Sequence, residues 1–494
     1  MAFFWKSGNY RRELSGKTRS QMRQDNILGV IAQESGGKVP LYRSGQVELY
    51  NRYYENSQYD HLPEWREAAQ SDHYVAVRDR QPLVKYPYGR ILAQRLCAKL
   101  VGHKTFPKLE NKQDLDFEAY IASIVRHTFL RTHIRKPIQR MLAIGSGMVR
   151  FYLKDGAFVF EAYNPNHCYP TFKSDGTLKE VRIRYVFTDK NDVDAEGKPK
   201  RKWFQMELTE NADIIYNNPE YNRDEEPTFE VEAMAEHNLG FVQAEWFRTS
   251  YDRQRPDGES LLADVLDWID AFNYSISQSD QAVSYNQDPQ LVFSGMTDDE
   301  TSALIRSVQH SWSLGREGQA QFLESNLSGV ERAESLRDKV RLNISDITRL
   351  IMHDPEKVVG HAQSAKSLEI LFEPMIELID DIRPMLEPAI VSLVTKLALI
   401  NLLMSRLGMA TPVTVPKDFM PESLSLMVKW PRVFSLTMQD LRDKAGVASQ
   451  ITSASIASRE WALEWMADDI GVEDTAFEKA RVDAQPVINP FGMF

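Results

Sequence analysis

Ser15-Gly16-Lys17-Thr18 has the ending of a phosphate-binding loop, in which a lysine and backbone amides hold phosphate and a hydroxyl meets Mg²⁺. The glycine that opens such a loop belongs at position 11, where Arg11 stands, and no apolar strand precedes it. Asp192-Val193-Asp194-Ala195-Glu196-Gly197 begins like a calcium loop. Its twelfth position is Trp203 instead of a bidentate Glu, and Lys198, Lys200, Arg201 and Lys202 repel a cation. A solvated hairpin tip is the expectation there. The ten histidines include no metal-protease pair, and no Gly-x-Ser-x-Gly elbow occurs. His127 and His133, six apart, do not share a helix face. Asp380-Asp381 and Asp468-Asp469 offer paired carboxylates, but neighbours on a helix point to different faces, so a shared metal is not expected. No catalytic constellation, cofactor site or metal site emerges.

One cluster is more suggestive. Arg126, Arg131, Arg135, Lys136 and Arg140 include two pairs four apart, so a single helix could show a basic face to phosphate or to an acidic neighbour. A solvated charged face remains the alternative.

The chain has 494 residues, 43% hydrophobic and 26% charged, which excludes global disorder and suggests two to four domains. Cys97 and Cys168 are its only cysteines, which excludes a disulfide scaffold and a thiolate zinc site and fits a reducing compartment. The net charge of -11 hides a split: residues 1–150 are net +11 and the remainder net -22. Such asymmetry implies basic and acidic surfaces with different partners. The most apolar stretch, Ile390–Met404, is short of the roughly 20 residues that span a bilayer, and Met1–Trp5 is too short for a signal core. A soluble, cytoplasmic chain with no membrane partner is expected.

The elements that must position these groups follow from periodicity. Residues 1–40 are polar and basic and read as a mobile arm. Helices are expected at Val47–Gln70, Tyr88–Leu100 and Asp114–Ile144. At Gly145-Ser146-Gly147 the period switches to two, and Asp155-Gly156 and Ser174-Asp175-Gly176 mark turns, so 148–250 should be antiparallel sheet. Helical periodicity returns over Asp257–Ser284, followed by short strands at Leu291–Phe293 and Gln321–Leu323 with a helix at Asp298–Trp312 between them. Val330–Met352 reads as helix and Ala365–Leu407 as a long helix kinked at Pro374, Pro384 and Pro388. At least two more helices lie in Thr437–Arg481. The fold class is α+β.

The order of segments carries a resemblance. Tyr53-Tyr54-Glu55-Asn56-Ser57-Gln58-Tyr59-Asp60 comes early; Asp257-Gly258-Glu259-Ser260 leads to Leu266-Asp267-Trp268-Ile269-Asp270-Ala271-Phe272-Asn273 and Ser277. Gln290-Leu291-Val292-Phe293-Ser294-Gly295, the helix 330–352, and Ser364-Ala365-Lys366-Ser367-Leu368 follow, with Asp440–Ala445, Ile456–Ala462 and Asp474–Arg481 near the end. From about 50 to 482 this resembles the portal proteins of tailed bacteriophages, the head-to-tail connectors. Each motif is loose; order and spacing carry the likeness.

The resemblance implies a non-enzymatic homo-dodecameric ring in the virion, at one capsid vertex, through which double-stranded DNA is packaged and ejected. Implied partners are the terminase large subunit, a head-tail adaptor, and the major capsid and scaffolding proteins; assembly would occur in the host bacterial cytoplasm. By the same likeness the parts are a mobile arm (1–40), a mixed wing (41–256), a descending stem helix (257–285), a small α/β clip (286–329) and an ascending stem helix (330–352). A tunnel loop (353–363), a long kinked helix with more wing (364–435), a helical crown (436–482) and a tail (483–494) complete the chain. The tunnel loop places His353, Asp354, Glu356, Lys357, Val358, Val359, Gly360 and His361 toward DNA, and the clip offers Leu291, Val292, Phe293, Arg316 and Phe322 to motor or adaptor. The basic helix face (Arg131, Arg135, Lys136, Arg140) would meet capsid or scaffold. An acidic balance suits a conduit, because a basic wall holds DNA by phosphate contacts. The other classes to weigh are a packaging-associated nuclease or ATPase and a monomeric capsid-assembly scaffold.

Overall fold

Helix α1 (Arg19–Glu34) occupies a stretch whose composition reads as an arm. The computed structural model describes residues 19–66, 75–111, 115–251, 255–287, 290–294, 319–323, 328–351, 370, 372–417, 419–420, 425–433, 438–470, 472 and 475–483. Ile27 and Ile31, four apart, are buried, and α1 packs on α2 (Gly45–Glu55). Arg52 of α2 pairs with Glu48 at 3.0 Å and also with Glu34 at the end of α1. The arm therefore reaches no further than residue 18; residues 1–18 lie outside the described part. Two isoleucines on one helical face outweigh the surrounding polar residues.

Helix α3 (Tyr88–Val101) buries Leu92, Leu96, Cys97 and Leu100 and lies close to its expected bounds. The single helix expected over 114–144 divides into α4 (Leu115–His127) and α5 (Leu130–Ile144). Between them the Thr128 hydroxyl donates to the Ile124 carbonyl, and Phe129 adopts a left-handed φ of 49°. The α3–α5 layer and the long helix α8 (Glu373–Arg406) build the main core, with Ile121, Ile124, Ile138, Leu393 and Leu397 among its fully buried residues. By length and composition α8 could cross a membrane. Instead its apolar face is buried in the core, Asn401 donates to the Tyr120 hydroxyl and the Val413 carbonyl, and Lys396 pairs with Glu245 at 2.7 Å. Pro374 falls in its first turn, while Pro384 and Pro388 are interior to one continuous helix.

The antiparallel region forms as the turn residues require. Strands β2 (Ser146–Lys154) and β3 (Ala157–Tyr163) join through Asp155 and Gly156, both with positive φ (51° and 77°), the conformation of a tight hairpin turn. Strand β9 (Ala244–Arg248) pairs on the other side of β2. A second sheet runs in the order β4 (Cys168–Phe172), β5 (Leu178–Val193), β6 (Pro199–Leu208), β7 (Ala212–Tyr216), β8 (Val231–Glu236). A smaller core around Val181, Ile183, Met206, Val242 and Trp246 spans the two sheets. The short β1 (Lys108–Asn111) pairs with β12 (Leu426–Lys429).

After the sheets, the helix expected from Asp257 begins only at Leu266, as α6 (Leu266–Gln287). The amides of Gly258 and Leu261 donate to the carbonyls of Gly145 and Leu142 at the end of α5, so this backbone bonds to a neighbour instead of to itself. Asp257 is held by both guanidinium nitrogens of Arg43, at 2.5 and 2.6 Å, and accepts the Ser146 hydroxyl. Strand β10 (Gln290–Ser294) pairs antiparallel with β11 (Gln319–Leu323), and α7 (Ser328–Thr348) packs back on α6. Helices α9 (Met438–Ser453), α10 (Arg459–Ile470) and α11 (Thr475–Asp483) close the chain. The expected helix at 298–312 lies outside the described residues.

Candidate functional site

The first half of α6 is pegged to the N-terminal region by polar groups on its buried face. Asp270, Asn273 and Ser277 recur at spacings of three and four, so all three face inward. The Asp270 carboxylate accepts the Tyr53 hydroxyl at 2.9 Å and the Tyr59 hydroxyl at 2.6 Å, and pairs with Arg23 of α1 at 3.1 Å. Arg23 also donates to the Tyr274 hydroxyl, with its guanidinium over the Tyr59 and Tyr274 rings. Asn273 donates to Tyr59 and accepts the Tyr86 amide, while Ser277 accepts the Val84 amide. Trp65 donates to Gln281 one turn further on.

The electrostatics of this cluster are those of a closed structural network. Burial raises the Asp270 carboxyl, opposed by Arg23 and the two tyrosine hydroxyls. Burial acts to lower Arg23, but Asp270 and the surrounding tyrosines outweigh it and hold the guanidinium above its ordinary value. Burial and Asp270 push Tyr53 and Tyr59 well up, so both stay donors. The Asp270 carboxylate and the Tyr53, Tyr59 and Tyr274 hydroxyls each have hydrogen-bond partners, while the Arg23 Nε meets Asp270 as an ion pair only. Nothing here is poised to transfer a proton.

The groups that could have done chemistry are dispersed. Asp192 pairs with Lys202 at 2.8 Å, and Asp194 accepts the amides of Glu196 and Lys198, so the calcium-like stretch is a hairpin tip. Asp380 pairs with Arg383 and Asp381 with Arg349. His133 stacks on Phe160, and His127 lies against Ser123. Among the described residues no group of His, Cys, Asp or Glu could hold a metal ion. Ser15–Thr18, His353–His361 and Arg316 fall outside the described residues.

Leu291, Val292 and Phe293 lie on β10, and Phe322 pairs across the ladder with Leu291. Of the basic face, Arg135 and Lys136 are exposed and Arg131 half-buried, but Arg140 is buried, with only Glu55 near, at 3.9 Å. Arg140 thus leaves the expected stripe: it lies behind the face, beside the Tyr54–Glu55 end of α2. Burial, followed by this guanidinium, pushes His167 down to about 4. The native state therefore keeps His167 neutral where the unfolded chain, with an ordinary pKa near 6.5, takes a proton. Stability is expected to fall as pH drops from about 6.5 toward 4, by up to about 1.4 kcal/mol per unit from this group. Burial holds His61 down to about 4 as well, so denaturant titrations at stepped pH should show the two contributions together, and His167→Gln should remove about half of the slope.

The anchor residues Arg23, Asp270 and Tyr274 were not singled out for any role from the sequence. The signal for the cluster is Asp270, Asn273 and Ser277, three polar residues at helical spacing, with Tyr53 and Tyr59 earlier in the chain.

A helical pair, α6 and α7, packs side by side beside the two-stranded β10–β11 ladder and is pegged at its head to a mixed α/β body. The family model for phage portal protein, SPP1 Gp6-like, matches residues 42–485, and the chain belongs to that family. No curated protein matches the chain. Among solved structures, a chain from the virion of a native gene transfer agent particle aligns over 89% of this chain and 98% of its own, at 10% identity and a TM-score of 0.39.

Proposed function

We propose that the chain forms a dodecameric ring at one vertex of a phage-type capsid, as the conduit for double-stranded DNA during packaging and ejection. Family membership supports the class; the observation that carries the mechanics is the helical pair. Outgoing α6 is fixed at its head by Asp270, Asn273 and Ser277, while returning α7 buries only Val340, Ile344 and Thr348 over its described length. Leu336 and Leu342, at 55% and 62% exposure, are left for a neighbouring copy to cover. A rigid post with an uncovered side is what a ring stem needs.

In this reading 257–285 and 330–352 line the channel, and 286–329 is the clip, where Leu291, Val292, Phe293, Arg316 and Phe322 meet terminase large subunit or head-tail adaptor. Residues 353–363 form the tunnel loop. Residues 436–482 form the crown, and the body formed by 41–256 with 364–435 contacts capsid and scaffold. The net -22 of residues 151–494 keeps the wall from holding phosphates as the DNA slides. No cofactor and no enzymatic activity are assigned to the chain; the motor supplies the chemistry.

The test is to replace Val358-Val359-Gly360 with Gly-Gly-Gly and score rings and packaged DNA separately. Rings should form as in the parent while packaged DNA per particle falls severalfold or more. Undiminished packaging would remove the tunnel-loop assignment.

A further inference from the structure

Two oppositely charged surfaces are unpartnered among the described residues of one copy. Residues 224–236 carry Asp224, Glu225, Glu226, Glu230, Glu232 and Glu236 and no basic residue. All six are exposed, and none is ion-paired among the described residues. Three of them, Glu230, Glu232 and Glu236, lie on or just before β8, an edge strand of the five-stranded sheet, exposed at every position, with Val231 and Met234 more than half open to solvent. An open edge with exposed apolar side chains invites a partner, and its carboxylates decide which kind.

The other surface runs from the end of α4 along α5. Arg126, Arg131, Arg135 and Lys136 have no carboxylate partner among the described residues, and Phe129 between them is 70% exposed. Arg90, Arg135 and Lys136 edge a pocket of about 470 Å³ whose one acid is Glu55. That carboxylate is shared by Arg90 at 3.4 Å and Arg140 at 3.9 Å. Behind it, the Nε and Nη1 of buried Arg140 have no hydrogen-bond partner in the described structure. The surface holds uncompensated positive charge.

We propose that these two surfaces meet between copies: the acidic β8 edge of one protomer docks on the basic α4–α5 face of the next. The inference rests on the ring reading and adds its contact. Met234 and Glu236, alternate residues in the regularly paired part of β8, are about 7 Å apart on one face, close to the ~6 Å between Arg131 and Arg135 one helical turn apart. Met234 then brings a thioether toward the exposed Phe129 ring beside the paired charges. The contact is heterologous, so it propagates around a ring instead of ending at a pair. It also explains why the net charge divides by region: the +11 of residues 1–150 meets acid supplied by the neighbouring copy.

Thiol cross-linking tests this cleanly, because Cys97 and Cys168 are buried and burial pushes both thiols up to about 12. Chains bearing Arg135→Cys should cross-link through a short bismaleimide to chains bearing Glu232→Cys, and neither population to itself. A chain with both substitutions should give a ladder of multimers. In parallel, R131E/R135E/K136E and E230K/E232K/E236K should each weaken assembly at least roughly tenfold, and their combination should restore it. Rings without a ladder would overturn the inference and leave the portal reading standing. Neither rings nor ladder would overturn both. A combined variant as weak as its parents would show that the two surfaces do not face each other.

Discussion

Replacing Asp270 with alanine is expected to cost about 3–5 kcal/mol of unfolding free energy, the range for breaking one side of a buried ion pair. The carboxylate is 7% exposed and serves three partners: Tyr53, Tyr59 and Arg23. Its removal leaves a buried guanidinium uncompensated and two buried hydroxyls without their acceptor. Asp270→Asn keeps a carbonyl for the tyrosines but not the charge, and should recover part of the loss. Denaturant unfolding of the three chains measures the difference. A cost under about 1 kcal/mol for the alanine variant would mean that the cluster does not fix α6 to the body. The same lesion should loosen the stem in any assembly, because Arg23, with Gln24 bonded to Asp267, ties α1 to α6.

The second large effect is expected at Gly147, on β2. A methyl built there overlaps the carbonyl and Cα of Pro137 in α5, main-chain atoms that cannot swing aside. Gly147→Ala must separate the helix from the strand it packs on, and about 3 kcal/mol or more of destabilisation is expected. Gly176 is the control. Its φ is 86°, but no atom lies within 4 Å of the added methyl, so alanine costs only the left-handed backbone, about 1–2 kcal/mol. Thermal unfolding of both variants separates a packing collision from a backbone preference. Equal shifts in Tm would contradict the packing argument.

Features encoded within a few residues were legible in the sequence. Asp155-Gly156 forms the β2–β3 turn with both residues left-handed, and the helix at Tyr88 begins where its periodicity does. Ile390–Met404 reads as too short to span a bilayer, and α8 buries its apolar face with Asn401 hydrogen-bonded inside the core. What was missed depends on partners far away in the chain. The start of α6 shifts from Asp257 to Leu266 because the preceding amides bond to Leu142 and Gly145, more than 100 residues earlier. The Asp270 cluster joins groups 211 and 217 positions apart, which no local period announces. Arg140 kept its helical spacing to Lys136 yet turned inward, because α2 covers that side of α5. The motif residues Tyr53, Tyr59, Asp270, Asn273 and Ser277 stood in the family pattern before their contact was visible; the fold supplies the reason for their order.

The most direct test of the central claim is the native mass of the purified protein, read together with negative-stain images. One subunit weighs 56.8 kDa. The account predicts particles of about twelve times that mass, with a central hole and head-to-tail contacts closed by rotation. A species that stays at one subunit mass, both alone and with its capsid partners, would contradict it.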